Sequence, residues 1–110
     1  MNKTVSLKQS YFCDTSGIVY IIKCSRCMME YIGQTGRSLS TRFNEHLGYV
    51  RTKSNDPTGQ HFNLPGHSIS NMEVSVLEKV FEKSRAVRET RESFWIQEFQ
   101  TVSKGINDKK

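Results

Sequence analysis

The sequence has no long apolar run and few cysteines. Its longest apolar stretch covers residues 18–22, whereas a membrane-spanning helix needs about 20 apolar residues. The opening residues, MNKTVSLKQSYF, contain no apolar run of signal-peptide length. Three cysteines are an odd number, which argues against an extracellular disulfide scaffold and favours an intracellular protein with a metal or free-thiol role. We therefore expect neither a membrane protein nor a disulfide-rich one.

The size and charge of the chain suit a small basic domain. Its 110 residues are 35% hydrophobic, which is enough for one small core that a metal site would help to stabilise. The formal net charge is +5 and the isoelectric point is about 9.3. Such a charge favours a polyanionic partner such as nucleic acid. Charge alone also fits a merely soluble basic protein.

Three segments have the composition of strands. Residues 17–23 and 30–34 are rich in β-branched and aromatic side chains and are predicted to form a hairpin around the loop CSRCMM. Residues 72–80 are a third candidate strand. Residues 1–15 are polar and read as a flexible N-terminal segment, and residues 52–70 read as a long loop.

Two longer segments have helical spacing. Ser38 or Ser40 can cap the first helix, whose apolar positions recur every three or four residues. These positions are Leu39, Phe43, Leu47 and Val50. The second helix is predicted to run from Ser84 to about Phe99. Together with the strands, these helices predict an α+β fold, with a small, mainly antiparallel three-stranded sheet flanked by helices.

The last helix carries a carboxylate in an apolar setting. At 100° per residue, Glu92 lies between Trp95 and Ile96 on the face that also holds Phe99. A carboxylate there loses hydration unless a cation or a metal ion meets it. The alternative is a structural pair with Arg88 at the edge of the helix.

The first helix and the hairpin supply further polar candidates. Arg42 and His46 are four residues apart, so they share one flank and could bind a phosphate and move a proton. An ordinary solvated flank is the alternative. Tyr20 and Tyr31 fall on neighbouring strands, where a phenol can transfer a proton or simply fill the core.

Two cysteines and two histidines have metal-ligand spacing. Cys24 and Cys27 are separated by two residues, and HFNLPGH contains His61 and His67. A zinc ion on these four residues would join the hairpin loop to the long loop, which has little periodicity of its own. The alternative is a bare thiol pair with two surface histidines. Cys13 has no evident partner.

Taken in order, five motifs resemble the GIY-YIG endonuclease family. They are GIVY, YIG, a helix with Arg42 and His46, RESFWI with Glu92, and GIN with Asn107. The resemblance covers residues 16–108, nearly the whole chain. It implies a GIY-YIG-like fold for this range and a DNA endonuclease activity that hydrolyses a phosphodiester bond.

The first motif departs from the family pattern. Two residues separate Gly17 from Tyr20, where the family has one. The departure leaves the role of Gly17 open and does not affect that of Tyr20.

The resemblance also implies a set of catalytic roles. Glu92 would hold one divalent ion, magnesium or manganese, on the scissile phosphate. Arg42 would stabilise the charge that develops on the phosphoryl oxygens. Either Tyr20 or Tyr31, together with His46, would orient or deprotonate the attacking water. Zinc would have a structural role elsewhere, on the cysteines and histidines.

Two further expectations follow from the same motifs. Asn107 would support the site. The zinc-ligand insertion, with YIGQTGRSLSTRFNEH and HFNLPGHSI, is similar to the GIY-YIG domain of Penelope-like retroelements, which is joined to a reverse transcriptase and nicks target DNA. This likeness implies DNA as the partner, a reverse transcriptase region in the same polyprotein, and a nuclear location. The alternative function is a zinc-stabilised nucleic-acid-binding module that does not cleave.

Overall fold

The computed structural model describes residues 15–107, so nearly all of the predicted flexible segment 1–15 lies outside the described residues. Three strands and four helices follow one another in this range. The strands are β1 (Ser16–Cys24), β2 (Glu30–Ser38) and β3 (Met72–Lys79). The helices are α1 (Leu39–Arg51), α2 (Pro57–His61), α3 (Arg85–Phe99) and α4 (Thr101–Lys104), and a 3₁₀ turn covers Ile69–Asn71.

The three strands form one antiparallel sheet with β1 in the centre, in the order β2-β1-β3. The predicted hairpin is present, and Tyr20 of β1 lies opposite Gly33 of β2. Gly17, whose role was open, has a φ of +64° and its carbonyl accepts a hydrogen bond from the Val80 amide at 2.8 Å. Glycine adopts this φ without strain. Gly17 therefore has a structural role, since it allows the backbone conformation with which β1 begins.

The central strand buries side chains on both faces of the sheet. Even-numbered residues from Ile18 to Cys24 pack in one apolar cluster with Leu39 and Val50 of α1. Val19 and Ile21 pack in a second cluster with Ile96 of α3. The domain therefore has three layers, with α1 and α3 on opposite faces of the sheet, as expected of strands that alternate their side chains.

Serine side chains begin both long helices. The Ser38 hydroxyl accepts a hydrogen bond from the Thr41 amide at 3.3 Å, and the Ser84 hydroxyl accepts one from the Val87 amide at 3.3 Å. Of the two predicted caps for α1, Ser38 is therefore the correct one. These contacts satisfy amides that have no partner in the first turn of a helix.

The prediction of a loop over residues 52–70 was wrong in part, because the segment contains α2 and the 3₁₀ turn. Asp56 caps α2 and Pro57 occupies its first turn, a position where the missing amide hydrogen of proline costs nothing. A five-residue helix has no apolar period, so the spacing of residues could not reveal it.

The helices within residues 15–107 are all too short or too polar to cross a membrane.

We expect Gly33→Ala to destabilise the fold, because an added Cβ would lie 2.5 Å from the Tyr20 hydroxyl oxygen and 2.6 Å from its Cζ atom. Tyr20 is fully buried and cannot move aside. Overpacking of this kind costs about 1–3 kcal/mol. Urea unfolding monitored by circular dichroism measures the loss.

Gly48→Ala is the matched control, since a Cβ at this helical position meets nothing within 4 Å. It should raise stability by about 0.5–1 kcal/mol. Equal effects of the two substitutions would contradict the steric account of Gly33.

Candidate active site and metal centre

Three side chains that the sequence singled out meet at the hydroxyl of Tyr20. The Arg42 Nε atom donates to this oxygen at 3.0 Å, and His46 Nε2 lies 2.7 Å from it. Tyr20 comes from the central strand, while Arg42 and His46 stand one turn apart on α1, which brings both towards the same point. Tyr20 and His46 are both fully buried, so His46 does not belong to a solvated flank.

The histidine continues this contact into the short helix α2. His46 Nδ1 lies 2.8 Å from Thr58 Oγ1, and the Thr58 hydroxyl donates to Asp56 Oδ2 at 2.5 Å. Because the carboxylate of Asp56 only accepts, the directions are set: Tyr20 O–H donates to Nε2, and Nδ1–H donates to Thr58. The result is a directional chain from Tyr20 to the charge of Asp56.

Burial controls the protonation of these groups. It lowers the pKa of His46 to about 4, with the Arg42 charge acting in the same direction and Asp56 opposing it. Burial also raises the pKa of Tyr20 well above its usual value, and raises the pKa of Tyr31 to about 12. At neutral pH the histidine is therefore neutral and both phenols are protonated.

Arg42 is held by several partners besides Tyr20. Its Nη1 atom donates to Glu45 Oε1 at 2.7 Å and to the Tyr49 hydroxyl at 3.2 Å, and Glu45 also contacts Arg37. Burial alone would lower the pKa of Arg42, but Tyr20, Glu45 and Tyr49 outweigh burial and raise it. The guanidinium is therefore a fixed positive charge beside the hydroxyls of Tyr20 and Tyr49.

Glu92 of α3 is half-buried and lies close enough to both tyrosines for its charge to raise the pKa of each. The predicted apolar setting of Glu92 is only partly correct. Ile96 is buried, whereas Phe99 is 37% exposed. The Nε atom of Arg88 donates to Gln34 Oε1 at 2.8 Å, which ties α3 to β2 beside this carboxylate.

Asn107 contacts the backbone of β2. Its Oδ1 atom accepts from the Ile32 amide at 2.8 Å, and its Nδ2 atom donates to the Ile32 carbonyl at 3.0 Å. Ile32 lies between Tyr31 and Gly33, so this side chain fixes the strand segment that faces Tyr20. Asn107 therefore contacts this part of the sheet through the backbone of Ile32.

The four predicted zinc ligands form one cluster at the end of β1, where Cys24 is the last residue of the strand. The ligand atoms of Cys24, Cys27, His61 and His67 all lie within 4.8 Å of one another, so these residues could hold a metal ion. His67 Nδ1 lies 3.2 Å from the Pro65 carbonyl oxygen, to which its N–H donates. Its Nε2 atom is buried and has no hydrogen-bond partner among the described residues. This ring orientation leaves Nε2 available as a metal ligand.

Sequence reasoning missed Thr58 and Asp56. Asp-Pro-Thr is a recognisable helix start, with a capping carboxylate before a proline. That signal could have located α2. It could not have shown that Thr58 lies against His46, because the chain between them leaves α1 at Arg51 and turns back through an irregular stretch before α2.

A family model for the GIY-YIG catalytic domain matches residues 16–107 of the chain. The chain belongs to the GIY-YIG family. It is therefore a GIY-YIG-type DNA endonuclease domain, and nucleases of this family use divalent metal ions.

Two solved structures have the same GIY-YIG fold. The catalytic domain of the homing endonuclease I-TevI is 23% identical, with a TM-score of 0.69 over 84% of this chain and 97% of that chain. A mutant form of the I-TevI catalytic domain is 24% identical, with a TM-score of 0.69 over 83% of this chain and 91% of that chain. A search of curated proteins gave no match. The predicted fold class is confirmed.

The buried His46 of this GIY-YIG domain should make its stability depend on pH. The pKa is about 4 in the folded protein and about 6.5 in an unfolded chain. Between these values the unfolded chain binds more protons, so the free energy of unfolding falls as pH is lowered from about 7 to about 4. The loss should approach about 3 kcal/mol.

Urea unfolding at several pH values measures this slope, with His46→Gln as the comparison. The variant should lose much of the slope, while contributions from other groups such as His61 are shared by both proteins. Equal slopes would show that His46 is not the titrating group.

Proposed function

We propose that the domain nicks DNA by metal-assisted hydrolysis of one phosphodiester bond, with Tyr20, Arg42, His46 and Glu92 as its catalytic residues. The observation that supports this most directly is the shared hydrogen-bonded centre of Tyr20, Arg42 and His46, with the Glu92 carboxylate beside it. A cation, a proton acceptor and a metal-ligating group within one site are what phosphodiester hydrolysis needs.

Glu92 is the residue that fits the catalytic metal ion. Carboxylate oxygen is the protein ligand that magnesium and manganese prefer, and one carboxylate suffices when substrate phosphate and water supply the other ligands. The ion, when bound, would polarise the phosphate and neutralise its charge. Glu92 stands on a long helix that the Gln34–Arg88 contact ties to the sheet, so its position is well defined.

Arg42 stabilises negative charge on the phosphoryl oxygens. Its Nε atom is committed to Tyr20, and its Nη1 atom contacts Glu45 and Tyr49. A phosphate at this point competes with Glu45 for the guanidinium. Fixed donors at the place where charge develops need no reorganisation during the reaction.

Tyr20 is the tyrosine that we assign to activation of the attacking water. Its hydroxyl has a proton acceptor, His46 Nε2, at 2.7 Å, and a cation, Arg42, at 3.0 Å. As the phenol oxygen takes a proton from water, its own proton passes to Nε2. Thr58 and the Asp56 charge hold the opposite side of the imidazole and favour the protonated ring. Tyr31 orients the water.

Glu92→Gln should abolish nicking of supercoiled plasmid in magnesium while DNA binding and the melting temperature remain close to wild type. Binding persists because Lys and Arg contacts to phosphates supply most of the affinity. Glu98→Gln, an exposed carboxylate on the same helix, is the control and should nick normally.

Nicking by Glu92→Gln would show that the metal ion is held elsewhere. A wild-type protein that binds DNA but never nicks it would instead support the alternative function, a nucleic-acid-binding module without cleavage.

We propose zinc as the metal of the Cys24, Cys27, His61 and His67 cluster. Two thiolates and two imidazoles are a common structural zinc set, and tetrahedral bond lengths imply ligand separations of roughly 3.3–3.8 Å. Cys27 Sγ and His61 Nε2 are 3.3 Å apart, so only a small contraction of the other distances would be needed.

Removing the metal with a chelator should lower the melting temperature, because zinc binding to a folded site adds directly to the free energy of unfolding. Metal analysis should find one zinc per chain. Cys27→Ser should melt at a lower temperature and lose its response to the chelator. Purified protein without zinc, and with unchanged melting in chelator, would contradict the proposal.

The retroelement role is a proposal based on the likeness of the two sequence motifs alone. In it, the domain nicks target DNA in the nucleus on behalf of a reverse transcriptase region of the same polyprotein.

A further inference from the structure

A cavity of about 280 Å³ opens beside Arg42, between β2 and the start of α3, and we call it the arginine cleft. Four of its lining side chains are arginines: Arg37, Arg42, Arg85 and Arg88. Only Arg42 has a role in the catalytic centre proposed above. The remaining three extend the positive charge of the site away from Glu92 and towards the first turn of α3.

The arginine cleft remains able to bind anions, although three of its arginines have acidic partners. Arg42 pairs with Glu45 at 2.7 Å, whereas the Arg37 and Arg85 side chains, which contact Glu45 and Glu89, are 59% and 77% exposed. Ion pairs this exposed are weak and exchange readily. Helix α3 also begins at the cleft, has no acidic residue in its first turn and directs the positive end of its dipole there.

A second cavity of about 570 Å³ shares Gly36 and Arg88 with the arginine cleft. We call it the Phe81 pocket, since it is lined by Lys79, Phe81 and Lys83, together with Glu82. Gly36 lets the Arg88 guanidinium lie between the two cavities, because a Cβ there would be 2.8 Å from Arg88 Nη2. The two cavities are therefore adjacent and share this basic side chain, and together they line one basic path along the surface.

Phe81 gives the second cavity an unusual surface. Its ring is 84% exposed, the most exposed of the large apolar side chains in the described part of the chain. The Lys79 ammonium lies 5.7 Å from the ring centroid, so a cation and an aromatic face occur together. Grooves that bind single-stranded nucleic acid combine positive charge with aromatic faces on which bases stack.

We propose that the path from Arg42 to Phe81 binds the DNA strand next to the scissile phosphate, with an unpaired nucleotide stacked on Phe81. This inference rests on the proposed nuclease function and specifies its substrate class. Arg37, Arg85 and Arg88 bind the neighbouring phosphate. In continuous duplex both faces of each base are covered and inserting the ring would cost the unstacking of a base step, so the ring stacks most favourably where the strand is frayed, gapped or extended as a single strand.

Binding measurements on the inactive Glu92→Gln protein test the inference without cleavage. The probes are a short blunt duplex and two extended forms of it, one with a single-stranded thymidine extension at the 5′ end of one strand and one with the extension at its 3′ end. Fluorescence anisotropy gives Kd at several salt concentrations, without chelator. At least one extended duplex should bind roughly fivefold or more tightly than the blunt one, as one stacked base provides.

Three further substitutions in this background, one of them a control, test the stacking site and the phosphate site separately. Phe81→Ala should remove the preference for the extension and leave blunt-duplex affinity unchanged. Phe94→Ala, a partly exposed phenylalanine on α3 that lines neither cavity, should retain the preference. Arg85→Ala should weaken binding to all the probes and lower the salt slope by about one.

A preference that is absent, or that persists in Phe81→Ala, would overturn the stacking site, and an unchanged salt slope in Arg85→Ala would overturn the phosphate site. Either result is distinct from failure of the proposed nuclease function, which would appear as a wild-type protein that binds these probes but does not nick plasmid.

Discussion

A buried phenol must have its hydroxyl satisfied, and much of this domain is arranged around that requirement at Tyr20. An unsatisfied hydroxyl in the core costs on the order of 1–3 kcal/mol. Helix α1 satisfies the hydroxyl, because Arg42 donates a hydrogen bond to the oxygen and His46 accepts one from it. The Nδ1 atom of the buried His46 then requires a partner of its own, and this partner is the Thr58 hydroxyl of α2.

Helix α2 connects the hydrogen-bonded centre around Tyr20 with the cysteine–histidine cluster. Its first turn holds Thr58, which contacts His46, and its last residue is His61 of the cysteine–histidine cluster. A helix of five residues is too short to be stable alone. Its order depends on contacts at both ends, so a metal ion held by His61 would also support Thr58, the partner of His46, three residues earlier.

Sequence patterns predicted the elements with a period and the residues with a familiar chemistry. The strands and both long helices are of this kind, and Tyr20, Arg42 and His46 were singled out by their chemistry and by the family resemblance, whereas their contact became visible only in the structure. Asp56 and Thr58 could not be found, because their relevance depends on how the chain folds back after α1. Phe99 does share a face with Trp95, whose ring lies 5.9 Å away, but it is 37% exposed, because helical angle assigns a face and not the depth of burial.

The contact between Tyr20 and Gly33 constrains the order in which the two motifs can change during evolution. Position 33 has no room for a side chain while the phenol fills the space above it. A lineage that no longer needed cleavage could not first accept alanine at position 33 without a loss of stability. Tyr20 would first have to be replaced by a smaller residue, and only then could position 33 accept a side chain. A descendant with a tyrosine at position 20 but a larger residue at 33 should therefore be rare, whatever its activity.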